Sequence, residues 1–245
     1  MELDNLLSQL SLKGFSAALT KQQENPVYNE MPFEERLIQL LQAELSERLN
    51  RKIKRNLAAA KLKEKMARVE DIDYGIQRGL NKSIMTSLIG GDYLRRKQNI
   101  IITGPTGTGK SYIAQALANR AILDGYTARY YRVPRLMEEL KLARLEGDYI
   151  KMLSRLARFN LLILDDFGIS AFEADEANDL LEVIEDRVGV NSTIVTSQLP
   201  IDNWYDCLKN ATVADAILDR LVHSSHKIKL SGESVRKLKS EENIV

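Results

Sequence analysis

Apolar positions in the first part of the chain recur at helical intervals, and those in the rest fall in short runs separated by helical stretches. Leu3, Leu6, Leu7 and Leu10 are spaced as one face of an amphipathic helix. Phe33, Leu37, Leu40, Leu41 and Leu45 repeat that spacing after Asn29-Glu30-Met31-Pro32, and Asn25-Pro26 marks a break between the two. Nothing up to about residue 70 reads as strand. From about residue 71 the pattern changes. Asn99 to Thr103 reads as a buried strand, and Ser111 to Leu123 as a helix ended by Asp124-Gly125. Thr127 to Val133 is a second strand, and Pro134 opens another helix. Leu161 to Asp165, Thr193 to Thr196 and Lys227 to Leu230 complete five strands. Strands alternating with helices predict an α/β fold, a parallel sheet with helices on both faces. The expected organisation is a helical N-terminal domain over 1–70 and a second domain over 71–245.

Composition narrows the class. Hydrophobic residues make up 44% of the 245, enough for a real core. Lys and Arg number 35 against 34 Asp and Glu, so the balance carries no bulk signal. Its distribution does. Arg48, Arg51, Lys52, Lys54, Arg55, Lys61, Lys63, Lys65 and Arg68 cluster in a stretch whose only acids are Glu47 and Glu64. Such a stretch suits phosphate contacts with DNA, or is a solvated helix face. The single cysteine, Cys207, has no intramolecular disulfide partner and fits a reducing compartment. The longest apolar runs are too short to span a bilayer, and MELDNLLSQL lacks the pattern of a signal peptide. The expectation is a cytoplasmic protein with no membrane partner.

Four segments carry candidate chemistry. Gly104-Pro105-Thr106-Gly107-Thr108-Gly109-Lys110-Ser111 matches G-x-x-x-x-G-K-[ST], between a strand and a helix as that motif requires. Its glycines turn backbone N–H groups inward on phosphate oxygens, and the following helix presents its positive end. Lys110 would sit on the β- and γ-phosphates of ATP, and the Ser111 hydroxyl on Mg²⁺. Tyr112 follows as a further nucleotide contact. Leu161-Leu162-Ile163-Leu164-Asp165-Asp166 is an apolar strand ending in two acids at the sheet edge where the P-loop lies. Asp165 would hold Mg²⁺ and Asp166 would polarise the attacking water. Thr193-Ile194-Val195-Thr196-Ser197-Gln198 ends in polar residues that suit the γ-phosphate or that water, Gln198 first and Ser197 second. Arg220 and Arg236 suit charge developing on phosphate; by spacing alone, a surface salt bridge is the favoured reading of such a helix arginine. His223 and His226 lack a third ligand nearby, and Trp204 and Tyr205 read as packing residues of a turn, or as platforms for stacked bases.

These residues resemble the IstB/DnaC group of AAA+ ATPases, and are most similar to IstB-type insertion-sequence proteins. The resemblance runs from Leu12-Lys13-Gly14-Phe15, through Asp73 to Leu80 and Gly91-Asp92-Tyr93-Leu94, to the P-loop, residues 161–168 and 196–200, and residues 219–237. It implies an AAA+ core behind a helical domain, ATP-dependent assembly into a homo-oligomer on duplex DNA, and delivery of that DNA to a transposase. It also implies that Arg220 acts in trans as a finger and Arg236 as a phosphate sensor. The second acid, commonly Glu in AAA+ proteins, is Asp166 here, and Gln198 stands where Asn is more general. The few residues after Arg236 leave no length for a full C-terminal lid. A replicative helicase loader of the DnaC type shares the same core and is the second reading. A small-molecule kinase would need a mobile Arg-rich lid, and between the acids and the P-loop there is only the helical stretch Arg135 to Arg158.

Overall fold

The computed structural model describes residues 2–235 and residue 237; Arg236 lies outside them. The chain forms two compact units, residues 1–55 and 56–245.

The first unit is helical. It holds α1 (Glu2–Gln9), α2 (Lys13–Glu24) and the start of α3 (Phe33–Ala60), with a 3-10 turn over Pro26–Glu30. Asn25 caps that turn by accepting from Val27 N, and Pro26 supplies a pre-set φ. Leu7 and Leu40 are buried. Gly14 lets α2 press against α3: a Cβ there would stand 2.6 Å from the Ala43 carbonyl oxygen. The Gly14 and Phe15 N–H groups, unpaired at the start of a helix, donate to Glu44 Oε2 at 2.7 and 3.1 Å. Glu44 also accepts from Arg48 at 2.7 Å. That bond, with the two N–H groups, outweighs burial and holds the Glu44 carboxyl below the usual range.

In the second unit come α4 (Lys82–Ile89), α5 (Asp92–Arg95), β1 (Asn99–Thr103), α6 (Lys110–Leu123) and β2 (Ala128–Arg132). Then follow α7 (Val133–Glu146), α8 (Tyr149–Ala157), β3 (Leu161–Phe167), α9 (Ala174–Glu185) and β4 (Ser192–Ser197). The end holds α10 (Trp204–Leu208), α11 (Ala211–Val222) and β5 (Ser225–Lys229). The five strands form one parallel sheet in the order β2-β3-β4-β1-β5, as the alternating pattern predicts. β1, Asn99–Thr103, is buried throughout, as expected of a central strand covered on both faces. The predicted single stretch from 135 to 158 is two helices. Gly147 ends α7 in the left-handed region at φ +77°, and the Asp148 N–H returns to the Ala143 carbonyl.

Contacts divide the chain after Arg55, ahead of the change in sequence texture near residue 70. Residues 56–72 have no strand but pack on α6 and β2. Glu64 N–H donates to Gln115 Oε1 at 2.7 Å, and Asn119 Nδ2 to the Ala67 carbonyl at 2.7 Å. Arg129 Nη1 donates to the Ala59 carbonyl at 2.9 Å. Ala60, Leu62, Ala67, Val69 and Ile72 are buried. The basic stretch is therefore shared between the units: Arg48 to Arg55 belong to the first and Lys61 to Arg68 to the second.

Just past the end of α9, Arg187 is 2% exposed. It donates to the carbonyls of Leu156, Phe159 and Ser192 and to Thr193 Oγ1, at 2.6–3.1 Å. Burial pushes its pKa down to about 9, which still leaves it charged at neutral pH. Trp204 is fully buried against Phe167, ring centroids 4.3 Å apart, and its indole N–H donates to the Leu199 carbonyl at 3.2 Å. No helix among the described residues is long and apolar enough to cross a membrane.

Candidate functional site

β1 ends in Thr103, and the chain turns through Gly104, Gly107 and Gly109 at φ +149°, +86° and +93° before α6 begins at Lys110. These are conformations that side chains other than glycine rarely hold. At Gly109 a second reason applies. A Cβ would stand 2.5 Å from Arg78 Nη1. Arg78 is buried under the loop; it donates to the Thr108 carbonyl at 3.0 Å and to the Asp73 carbonyl at 3.0 Å. From the other side, the Val235 N–H donates to the Gly107 carbonyl at 3.0 Å. The loop is thus held by segments before and after the core in sequence. Lys110 Nζ donates to the Gly104 and Pro105 carbonyls at 2.7 and 2.8 Å, so the ammonium lies within the curl of the loop.

The order β3-β4-β1 sets the acids of β3 one strand away from the loop, across β4. Asp165 is 4% exposed. It accepts from Ser111 Oγ at 2.8 Å, from Tyr130 OH at 2.7 Å, and from Thr196 Oγ1. Three hydroxyls from α6, β2 and β4 therefore fix one carboxylate. Burial first, then the Asp165 charge, push the Tyr130 hydroxyl well above the ordinary phenol range. Asp166 lies at φ +61°, where the β3–β4 register slips between Leu164 and Phe167. Its carboxylate accepts from Arg132 Nε at 2.7 Å. That hydrogen bond raises the Arg132 pKa.

A cavity of ≈ 500 Å³ opens between these groups. Lys110, Ser111, Tyr112, Asp165, Asp166 and Gln198 all line it. Asp71, Ile72 and Asp73 line it too, with Lys63 and Val235. Pro105 and Thr108 belong to the loop: Thr108 is buried and its hydroxyl donates to the Pro105 carbonyl at 2.9 Å. Gln198, exposed just after β4, reaches the cavity. Ser197 does not project there; its hydroxyl donates to the Phe167 carbonyl at 2.7 Å and accepts from Leu199 N. Arg220 stands apart on α11, pairs with Glu185 of α9, and donates to the Ala216 carbonyl. His226 is hydrogen-bonded to Gln98 at 3.0 Å.

Tyr130, Thr196, Arg132 and Arg78 are site residues that the motifs did not single out. The first three follow from register: Arg132 pairs with Asp165 across β2 and β3. Alternate residues of β2 then face the acids, a signal readable once strand order is known. Arg78 sits in an irregular segment with no periodicity to betray it.

The donor set suits Mg²⁺. Ser111 Oγ and Asp165 Oδ1 are hard oxygens side by side, and no cluster of three or more His, Cys, Asp or Glu exists among the described residues. Ser111 and Asp165 would hold the ion, which would supply positive charge to the phosphate oxygens.

The family profile described as "IstB-like ATP binding protein" matches residues 5–243. An insertion sequence ATP-binding protein of Sinorhizobium fredii is 44% identical over 231 residues, covering 94% of each chain. The IS21 insertion sequence ATP-binding protein of Pseudomonas aeruginosa is 30% identical over 235 residues, 96% of this chain and 88% of that one. Among solved structures, the DnaC helicase loader aligns with a TM-score of 0.55 at 16% identity, over 67% of this chain and 96% of that one. AMPPCP-bound DnaA from Aquifex aeolicus gives a TM-score of 0.59 at 18% identity, over 76% and 57% of the two chains. At these identities the structural likeness speaks for the fold alone, an α/β core built on a parallel sheet.

Proposed function

Because this chain belongs to the family of IstB-like ATP binding proteins, we propose that it is an ATP-hydrolysing helper of DNA transposition, assembling on duplex DNA and passing it to a transposase. The observation that carries the hydrolytic part is the convergence of Lys110, Ser111, Asp165 and Asp166 on one cavity. Lys110 exchanges the loop carbonyls for the β- and γ-phosphates of ATP, helped by inward backbone N–H groups and the start of α6. Ser111 and Asp165 hold Mg²⁺, which when bound neutralises charge on the phosphate oxygens. Asp166 accepts the proton of the attacking water, and Gln198 orients that water or the γ-phosphate. Arg220 lies on a helix outside the cavity and completes the site of a neighbouring subunit; Arg236 serves as a phosphate sensor. Arg48 to Arg55 and Lys61 to Arg68 supply cations for the DNA backbone.

Transposition is preferred to helicase loading because the 44% relative is an insertion-sequence protein, whereas likeness to the helicase loader is one of fold. The test is ATP hydrolysis at low salt, with and without duplex DNA, on wild type and Lys110→Ala. Stimulation by DNA, abolished in Lys110→Ala, is the expected result. Turnover indifferent to DNA would overturn the DNA-assembled reading and leave a partner-gated ATPase.

A further inference from the structure

Arg78 brings a buried positive charge to the edge of the cavity, and its partners among the described residues are carbonyls rather than carboxylates. It is 5% exposed, yet it lines the cavity beside Gly109 and Lys110. Nη1 donates to the Thr108 carbonyl and Nη2 to the Asp73 carbonyl. The Nε–H is buried and finds no acceptor among the described residues. The Asp73 carboxylate accepts from the Gly75 N–H at 2.7 Å instead. Burial pushes the Arg78 pKa down, and the charge of Asp73 opposes that only in part. Burying a cation without an ion partner is costly unless a ligand of opposite sign completes the site.

The bond to Thr108 has a further consequence. The peptide joining Thr108 to Gly109 is trans, so its carbonyl and its N–H point in opposite directions. Holding the Thr108 oxygen against Arg78 turns the Gly109 N–H away from it, as a loop whose N–H groups converge on phosphate requires. Arg78 is itself held from behind. Its own carbonyl accepts the Ser231 N–H at 2.9 Å. Gly232 closes over Gln77, where a Cβ would meet the carbonyl oxygen at 2.8 Å. The Asp73 carbonyl belongs to the segment 71–73 that lines the same cavity. One residue therefore joins the phosphate loop, the segment 71–73 and the chain beyond β5.

We propose that Arg78 is a positioning residue for polyphosphate: it presets the 108–109 peptide and gives the cavity a fixed positive charge that a bound di- or triphosphate compensates. This rests on the reading of the cavity as an ATP site. Lys110 meets phosphate by contact, whereas Arg78 acts through the loop. Its effect therefore grows with the charge and number of phosphates in the loop. ADP and ATP gain most from it, and AMP, with one phosphate, gains least.

The experiment is isothermal titration calorimetry of the full chain with ATP, ADP and AMP, on wild type, Arg78→Met and Arg78→Lys. Arg78→Met should bind ATP and ADP at least about tenfold more weakly and AMP within about twofold of wild type, as expected for loss of a charged hydrogen bond that serves the later phosphates. Arg78→Lys keeps the charge but lacks the planar fork that reaches two carbonyls, and should fall between. At saturating ATP, turnover of Arg78→Met should stay within about twofold of wild type, so that the loss appears in KM. Removing a buried Arg can also loosen the chain, so Arg78→Ala is titrated with ADP in guanidinium chloride, far below the concentration that unfolds it, and in equal sodium chloride. Guanidinium should recover ADP affinity and sodium should not; a loosened fold is not restored by a denaturant. Unchanged ADP affinity in Arg78→Met, or equal loss for AMP and ADP, overturns the proposal. A wild type that binds neither ATP nor ADP overturns the ATP reading itself, and is told apart because it fails before any substitution is made.

Discussion

Asp166 shows how much one backbone angle decides. It sits at φ +61°, a region that Asp and Asn tolerate and longer side chains resist. This gives a physical reason for the shorter acid here. Asp166→Glu should lower unfolding stability by about 1 kcal/mol in denaturant titration and not raise turnover, despite the extra reach. Asp166→Asn should stay within about 0.5 kcal/mol of wild-type stability. It should keep ATP affinity and lose at least about a hundredfold in turnover, measured as phosphate release. Unchanged turnover would place the base elsewhere. The ion pair with Arg132 engages Asp166 Oδ2 and so competes with the attacking water for that carboxylate. Arg132→Ala should therefore raise DNA-free turnover severalfold; a fall would assign Arg132 to phosphate instead. The two acids were legible in the sequence because an apolar run ending in carboxylates has an obvious address. Tyr130 and Thr196 were not, because their closeness to Asp165 exists only after three strands pair. Ser197 reads as a candidate from its position beside Gln198, yet its hydroxyl is spent bracing Phe167 and Leu199.

At the scale of elements, two buried charged side chains tie together the ends of secondary structure. Arg187 ties the ends of α8 and α9 to the start of β4. Arg187→Met leaves several buried acceptors unpaired and should cost about 3 kcal/mol or more, read from the denaturant midpoint. Glu44 does the same for the start of α2. Its folded pKa lies below the ordinary value of 4.5, so its contribution is fully present above that pH and fades as pH falls through the lower folded value. The helical unit of residues 1–55 should therefore loosen on acidification below about pH 4.5 in wild type, and Glu44→Gln should show less of this dependence by circular dichroism. Neither anchor is visible as periodicity: a buried Arg and a buried Glu read as surface residues until the carbonyls and N–H groups they serve are known. Conversely, strand existence was readable to within a residue or two, because apolar runs bounded by Gly, Asn and Asp leave few alternatives. Gly147 divided α7 from α8 where helical composition on both sides suggested continuity.

For the whole molecule, the parallel sheet gathers the ends of β1, β3 and β4 on one edge, so nucleotide engages groups far apart in sequence. Ligand bound to the folded form alone stabilises it by mass action. ATP at a hundred times its dissociation constant should raise unfolding free energy of the second unit by about 2.7 kcal/mol in scanning calorimetry. Lys110→Ala should lose that shift. The same gathering explains which part of the architecture was open to sequence reading. Alternating strands and helices specify an α/β core, but the division after Arg55 depends on Asn56 reaching the Tyr126 carbonyl, the Glu64 N–H reaching Gln115, and Asn119 reaching back to the Ala67 carbonyl. The sole tryptophan of the chain turns this arrangement into an instrument. Trp204 stacks on Phe167, the neighbour of Asp166, and donates to Leu199, the neighbour of Gln198. Its emission therefore reports on the backbone beside Asp166 and Gln198 without any dye, and mixing with ATP in a stopped-flow cell would let native fluorescence time any rearrangement there.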